Sequence, residues 1–210
     1  MNSFLSRPGS RKAGSYLPVI LVAGAWIALG AWWTHGFSAV TSFSAARVAP
    51  GPLPRPAPRF EVIDQAGREF DLGAEEGGFR LVQAMYLRCP DVCPIAMSRL
   101  QRLAAALSDI PPSHLRAVSI SVDRDTPDRL RTVWEAYGAP SNWSFVTPAD
   151  GTRDDELLRQ LGIWVYRRPD GLINHGVDIF VIDPTGSVVR ILSADEGLDQ
   201  LASSVRGIVG

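Results

Sequence analysis

The sequence predicts an α/β sandwich carried behind an apolar N-terminal segment. Strand-like and helix-like runs alternate from about residue 59 onward and end in a late hairpin, the order expected of packed α/β layers. One strand-like run leads straight into the only two cysteines of the 210-residue chain and then into an amphipathic helix. Residues 13–46, by contrast, contain no Lys, Arg, Asp or Glu, so this part of the chain is suited to a different solvent.

Within that uncharged stretch, Tyr16 to Trp33 is strongly apolar. Eighteen helical residues span roughly 27 Å, near the thickness of a bilayer core. Arg7, Arg11 and Lys12 precede the run, which keeps the N-terminus cytoplasmic and sends the remainder across. Trp32 and Trp33 suit the aromatic belt at the far interface. A cleaved signal peptide is the rival, with Ser44-Ala45-Ala46 as a small-residue site, but that site lies well beyond the apolar run. No cysteine follows the run where a lipoprotein would carry one. Ala49 to Pro58 has proline at every second position from 50 to 58, a pattern that favours extended polyproline II, about 30 Å for ten residues. The expected organisation is a cytoplasmic segment over 1–15, an anchor over 16–34, a Pro-rich stalk over 35–58 and a domain over 59–210. The protein is then single-pass in the cell inner membrane, with its domain in the periplasm.

Composition describes a globular domain, with 46% hydrophobic and 20% charged residues. Residues 1–60 carry six basic side chains and no acid; the remaining 150 hold the other 15 basic and all 22 acidic groups, a net charge of −7. That balance argues against nucleic-acid binding and suits a cationic cargo or partner.

Phe60 to Ile63 and Glu69 to Leu72 flank Gln65-Ala66-Gly67, a hairpin signal. Phe79 to Leu87 reads as a buried strand, and Ile95 to Leu107 has apolar residues at the spacing of a helix with one buried face. Leu115 to Val122 is a second buried strand. Thr126 caps a helix that has Pro127 at its first position and runs to about Tyr137. Trp143 to Val146 is a short strand and Asp154 to Leu161 a short helix. Val177 to Ile182 and Ser187 to Leu192 form a hairpin about Asp183-Pro184-Thr185-Gly186. Asp195 to Ile208 is the closing helix.

Cys89 and Cys93 stand in Leu87-Arg88-Cys89-Pro90-Asp91-Val92-Cys93-Pro94, on the turn between the first central strand and its helix. A cysteine pair at such a strand-to-helix turn indicates the thioredoxin-like class. Pro94 fits the first helical position, which makes Cys93 the expected N-cap, where backbone donors and the positive helix end favour thiolate. Arg88 beside Cys89 acts in the same direction. A structural disulfide across so short a loop would constrain the unfolded chain little, so redox or metal chemistry is the stronger reading. His35 belongs to the membrane interface and His114 to a surface loop. His175 lies in the loop before the last hairpin. A lone loop histidine is usually surface decoration, yet imidazole with two thiolates is also a soft ligand set; the residues alone leave both open.

YLRCPDVCP (86–94), SISVDRDTP (119–127), NWSFVTP (142–148) and NHGVDIFVIDPTG (174–186) occur in this order and resemble the Sco/SenC family over about residues 58–208. The resemblance implies a thioredoxin-like fold and one copper ion bound through Cys89, Cys93 and His175, with Asp123 close to the metal without binding it. It also implies a role in assembling the dinuclear copper centre on subunit II of cytochrome c oxidase. The sequence departs from the family at Leu87, where a threonine is usual, at Asn174, where an acid is usual, and in a segment shorter by two residues at Asp123-Arg124-Asp125.

Two function classes follow. One is a copper-binding metallochaperone that loads cytochrome c oxidase subunit II or another copper acceptor. The other is a thiol–disulfide oxidoreductase in which Cys89 and Cys93 reduce cysteines of an oxidase subunit or another extracytoplasmic target. His175 discriminates them, since thiol exchange does not require it. A peroxidase would need a single activated cysteine, and only Arg88 hints at one.

Overall fold

The computed structural model describes residues 16–34, 36–37, 41–74, 77–88, 92–150, 154–193 and 195–210, with 42–43, 92–94 and 154 described by their backbone. The chain divides into two compact units, Met1–Val40 and Thr41–Gly210.

The first unit holds α1 (Leu17–Trp33), 17 residues with Pro18 in its first turn and no buried side chain. The Thr34 hydroxyl donates back to the Gly30 carbonyl at 2.6 Å and closes the helix one residue past the apolar run. At 1.5 Å per residue α1 is about 26 Å long. Among the described residues no helix is long and apolar enough to cross a membrane.

The second unit contains α2 (Ser42–Val48), β1 (Arg55–Pro56), β2 (Glu61–Asp64), β3 (Glu69–Asp71), β4 (Phe79–Met85), α3 (Val92–Ala106), β5 (Leu115–Ser121), α4 (Pro127–Ala136), β6 (Trp143–Pro148), α5 (Asp154–Leu161), β7 (Val165–Arg167), β8 (Ile173–His175), β9 (Ile179–Ile182), β10 (Ser187–Leu192) and α6 (Leu198–Val209). Eight strands form one sheet in the order β1-β10-β9-β4-β5-β6-β2-β3, and β7 with β8 form a separate two-stranded sheet. β4, β5 and β6 run parallel, and β9 pairs antiparallel with β4. Parallel strands covered on both faces read as continuous apolar runs, which is why β4 and β5 were plain in the sequence.

Alternate side chains of each strand serve opposite faces. Val82, Ala84, Val118, Ile120 and Phe180 pack with Leu157, Leu158 and Leu161 of α5 in one core. Leu81, Met85, Ala117, Phe145 and Val181 pack with Met97, Leu100 and Leu103 of α3, Leu130 of α4, and Leu201 and Val205 of α6 in the other. Burying a leucine contributes about 1.5–3 kcal/mol. Two such side chains on α3 (Leu100 and Leu103) and Leu107 just past its end, all buried, outweigh its propensity differences, so packing fixes the helix against the sheet.

The expected free stalk is corrected in this unit. α2 carries a capping box at Thr41 and Ser44, and Arg47 pairs with Asp178 at 2.6 Å. Arg55–Pro56 then pairs antiparallel with Ser187–Val188 of β10. The buried Arg55 guanidinium donates to the carbonyls of Gly51 at 2.8 Å and Leu161 at 2.9 Å. Ala57, also buried, donates its N–H to Gly186 at 2.8 Å. Alternate prolines remove only every second backbone donor, and an edge strand tolerates that loss on its outward side. The extended segment therefore covers the edge of β10 instead of standing free.

Candidate metal centre

β4 ends at Met85, and Leu87 and Arg88 turn the chain away from the sheet. Residues 89–91, Cys89 among them, lie outside the described residues, and Cys93 is placed by its backbone alone. α3 already begins at Val92, so Cys93 is a first-turn residue and not the N-cap. Pro94 stays within the turn whose N–H groups have no intrahelical acceptor, so its missing donor still costs nothing. The environment expected for Cys93, near unpaired donors and the positive helix end, is kept despite this shift of two residues.

His175 ends β8 instead of lying in a loop. It faces Val165 across the β7–β8 pair, and Tyr166 faces Asn174. The hairpin closes at Gly171, whose φ of +83° favours glycine, and the Asp170 carboxylate accepts the N–H of Leu172 at 3.1 Å. The imidazole is buried, 8% exposed. Its Nδ1 lies 2.8 Å from the Gly176 carbonyl oxygen. A carbonyl can only accept, so Nδ1 carries the proton and Nε2 the lone pair. Burial pushes the imidazole pKa below its ordinary value, opposed by the bond to Gly176. Burial, the larger effect, favours the neutral ring, and the bond to Gly176 sets which nitrogen is the Lewis base, the form in which histidine binds soft metals. A Cβ at Gly176 would meet the Trp164 indole at 3.2 Å, so glycine lets the chain pass Trp164 directly after the histidine.

Asp123 follows β5 and holds Arg88. The Arg88 Nε donates to its Oδ2 at 2.5 Å, and Nη2 reaches the same oxygen. This pairing raises the Arg88 pKa. The guanidinium next to Cys89 is thus shared with a carboxylate, which weakens the expected help to a thiolate there. Behind it, Ser121 donates to Asp125 Oδ2 at 2.7 Å and accepts the N–H of Asp123 at 3.2 Å. Arg129 pairs with Asp125 Oδ1 at 2.9 Å. Between the two aspartates Arg124 adopts φ +51°. Arg88, Asp123, Arg124, Asp125, Thr126 and Arg129 line an open cleft of about 760 Å³. Sequence reasoning singled out Asp123 but missed Arg88 as its partner and missed the Ser121–Asp125–Arg129 brace, whose members are joined only in space or across the β5–α4 turn. Among the described residues no group of three or more His, Cys, Asp or Glu is placed to hold a metal ion.

A mixed sheet with helices on both faces, entered by a strand–turn–helix that bears two cysteines, defines a thioredoxin-like protein. The family model described as SCO1/SenC matches residues 51–210, and the chain belongs to that family. It is 27% identical over 157 residues to a protein of Stutzerimonas stutzeri named for copper binding, covering 71% of this chain and 75% of that one. The structure of Arabidopsis thaliana ScoI with copper bound shares the fold at a TM-score of 0.62 and 18% identity, covering 73% of this chain and 96% of the other. So does that of BsSco, described as a member of the Sco family of cytochrome c oxidase assembly proteins with a disulfide switch, at 0.62 and 22%, covering 74% and 94%.

Burial pushes the Asp125 carboxyl above its ordinary pKa, against the Ser121 bond and Arg129, which pull it down. A carboxyl whose folded pKa exceeds its unfolded value contributes stability below the unfolded pKa, and that contribution is lost as pH rises through the folded one. Relative to Asp125→Asn, the wild-type protein is therefore expected to lose stability as pH rises above the ordinary carboxyl value of about 4. Urea midpoints of both proteins across that rise measure it; a difference moving in favour of wild type as pH rises contradicts the assigned direction.

Proposed function

We propose that this protein is a copper metallochaperone that carries one copper(I) on Cys89, Cys93 and His175 and delivers it to a copper acceptor, the dinuclear centre on subunit II of cytochrome c oxidase. The observation that carries this reading is the placement of His175: a buried imidazole whose Nδ1 lies against the Gly176 carbonyl, which makes Nε2 the basic nitrogen of the neutral ring. Thiol exchange has no use for such a group. Two thiolates and one imidazole suit copper(I), whereas a closed zinc site wants four ligands. Family membership, the copper-bound plant relative and the oxidase-assembly relative support the same cargo and destination.

The dithiol keeps a second reading open, because the relative with a disulfide switch has this fold. A disulfide sulfur has lost the anionic lone pair that binds metal. Oxidation and copper loading then exclude one another, and a reductant must act before copper enters.

The N-terminal helix is read as a single-pass anchor with the domain in the periplasm. Its support is the uncharged stretch 13–46 and the basic residues before it. Protease added to intact spheroplasts is expected to digest the domain and protect roughly the first 15 residues; full domain recovered in the cytosolic fraction contradicts it.

Anaerobic titration of the reduced protein with copper(I) is expected to saturate at one equivalent. Cys89→Ser and Cys93→Ser each abolish tight binding, and His175→Ala weakens it about 10-fold or more. His175→Ala binding as tightly as wild type removes the histidine from the site and favours the oxidoreductase.

A further inference from the structure

His175 sits on a hairpin that the eight-stranded sheet does not hold, because β7 and β8 pair only with each other. Ile173 roots the hairpin in one core, with Val165 and Leu172 packed alongside, and the Tyr86 hydroxyl donates to the Gly171 carbonyl at 3.4 Å; a charged brace acts beside these contacts. Val165 lies directly opposite His175, and Arg167 follows Val165 by two residues, so Arg167 and His175 share one face of the hairpin. That face is the inward one: His175 and Ile173 are buried, while Tyr166 and Asn174 on the other face are exposed. From its rim Arg167 reaches back to the domain. Its Nη1 donates to the Val122 carbonyl at 3.2 Å, and its Nη2 and Nε donate to the Asp155 carboxylate at 2.7 and 3.4 Å.

Val122 is a rigid place to hold. It is fully buried, and its N–H donates to the Met85 carbonyl at 2.9 Å, locking the end of β5 to the end of β4. The next residue, Asp123, holds Arg88, the neighbour of Cys89. Two consecutive residues thus grip both arms of the centre, one through a backbone carbonyl and one through a carboxylate.

We propose that Arg167 is a positioning residue for His175, bracing the β7–β8 hairpin against the end of β5 so that the imidazole stands at a fixed place relative to the cysteine turn. The planar guanidinium matters because its rigid fork spans a carbonyl and a carboxylate in one fixed geometry, whereas a lysine ammonium is a single point on a flexible stem. The inference rests on His175 being a copper ligand, as proposed above.

The test is a double-mutant cycle in copper(I) affinity, measured on the full chain against a chromophoric chelator, with urea midpoints of the metal-free proteins alongside. Arg167→Ala is expected to weaken binding about tenfold when His175 is present and less than about twofold in the His175→Ala background. Asp155→Ala removes the carboxylate anchor from an exposed position; it follows the same pattern with a smaller loss and guards against Arg167→Ala failing to fold. Equal losses in both backgrounds, or none in either, overturn the positioning role while leaving the ligand set intact. Unchanged affinity on His175→Ala alone overturns the ligand set itself, and the positioning role with it.

Discussion

The parallel pairing of β4 with β5 is the constraint on which the rest of the structure depends. Seven consecutive residues pair in register, from Phe79 with Leu115 to Met85 with Ser121, and both strands are buried along nearly their whole length. A shift of one residue would turn every side chain to the opposite face and exchange the two cores. Because the register is fixed, both strands end at the same level. The cysteine turn leaves from the end of one and the Asp123–Asp125 segment from the end of the other. In open α/β sheets, the crevice beyond the carboxyl ends of the strands is where ligands bind, and here both chemically distinctive segments emerge there.

The groups at that edge are charged, and their burial decides how they behave. Asp125 is nearly enclosed and keeps a charged partner in Arg129 and a hydroxyl in Ser121, as a buried carboxylate must if it is not to be costly. Arg88 is more than half exposed, so its pairing with Asp123 is screened by solvent and salt. Arg129 is nearly as exposed, so the difference lies in the carboxylates: that of Asp125 is the more deeply enclosed and holds a second partner in Ser121, which makes it a brace. The buried imidazole of His175 belongs with the braces, held from within its hairpin by the Gly176 carbonyl.

Local chemistry determined how much could be read in advance. β4 and β5 announce themselves as apolar runs, α4 by Thr126 and Pro127, and the β9–β10 hairpin by Asp183-Pro184-Thr185-Gly186, since in each case the signal lies within a few residues of its effect. The β7–β8 pair carries a local turn signal in Pro169-Asp170-Gly171, but its strands are only three residues long, too short to read as alternating runs. The docking of Arg55 depends on Leu161, 106 residues away, and the pairing of Arg88 depends on Asp123, 35 residues away. His175 could be named as a candidate from its residue type and its resemblance to a family. Its burial and its tautomer could not, because both come from tertiary contacts. The proline alternation reads as extended chain, but the structure turns at 49–50, bends over 52–54 and extends from Arg55, where an extended chain beside an open sheet edge becomes a strand.

The central claim is that two sulfurs and one imidazole nitrogen hold a single copper(I). X-ray absorption at the copper edge of the anaerobically loaded protein tests it most directly, comparing wild type with His175→Ala. The expected result is a three-coordinate site of two sulfur scatterers and one nitrogen, with the imidazole signature lost in the variant. A wild-type spectrum without imidazole scattering, or one identical to that of His175→Ala, would contradict it.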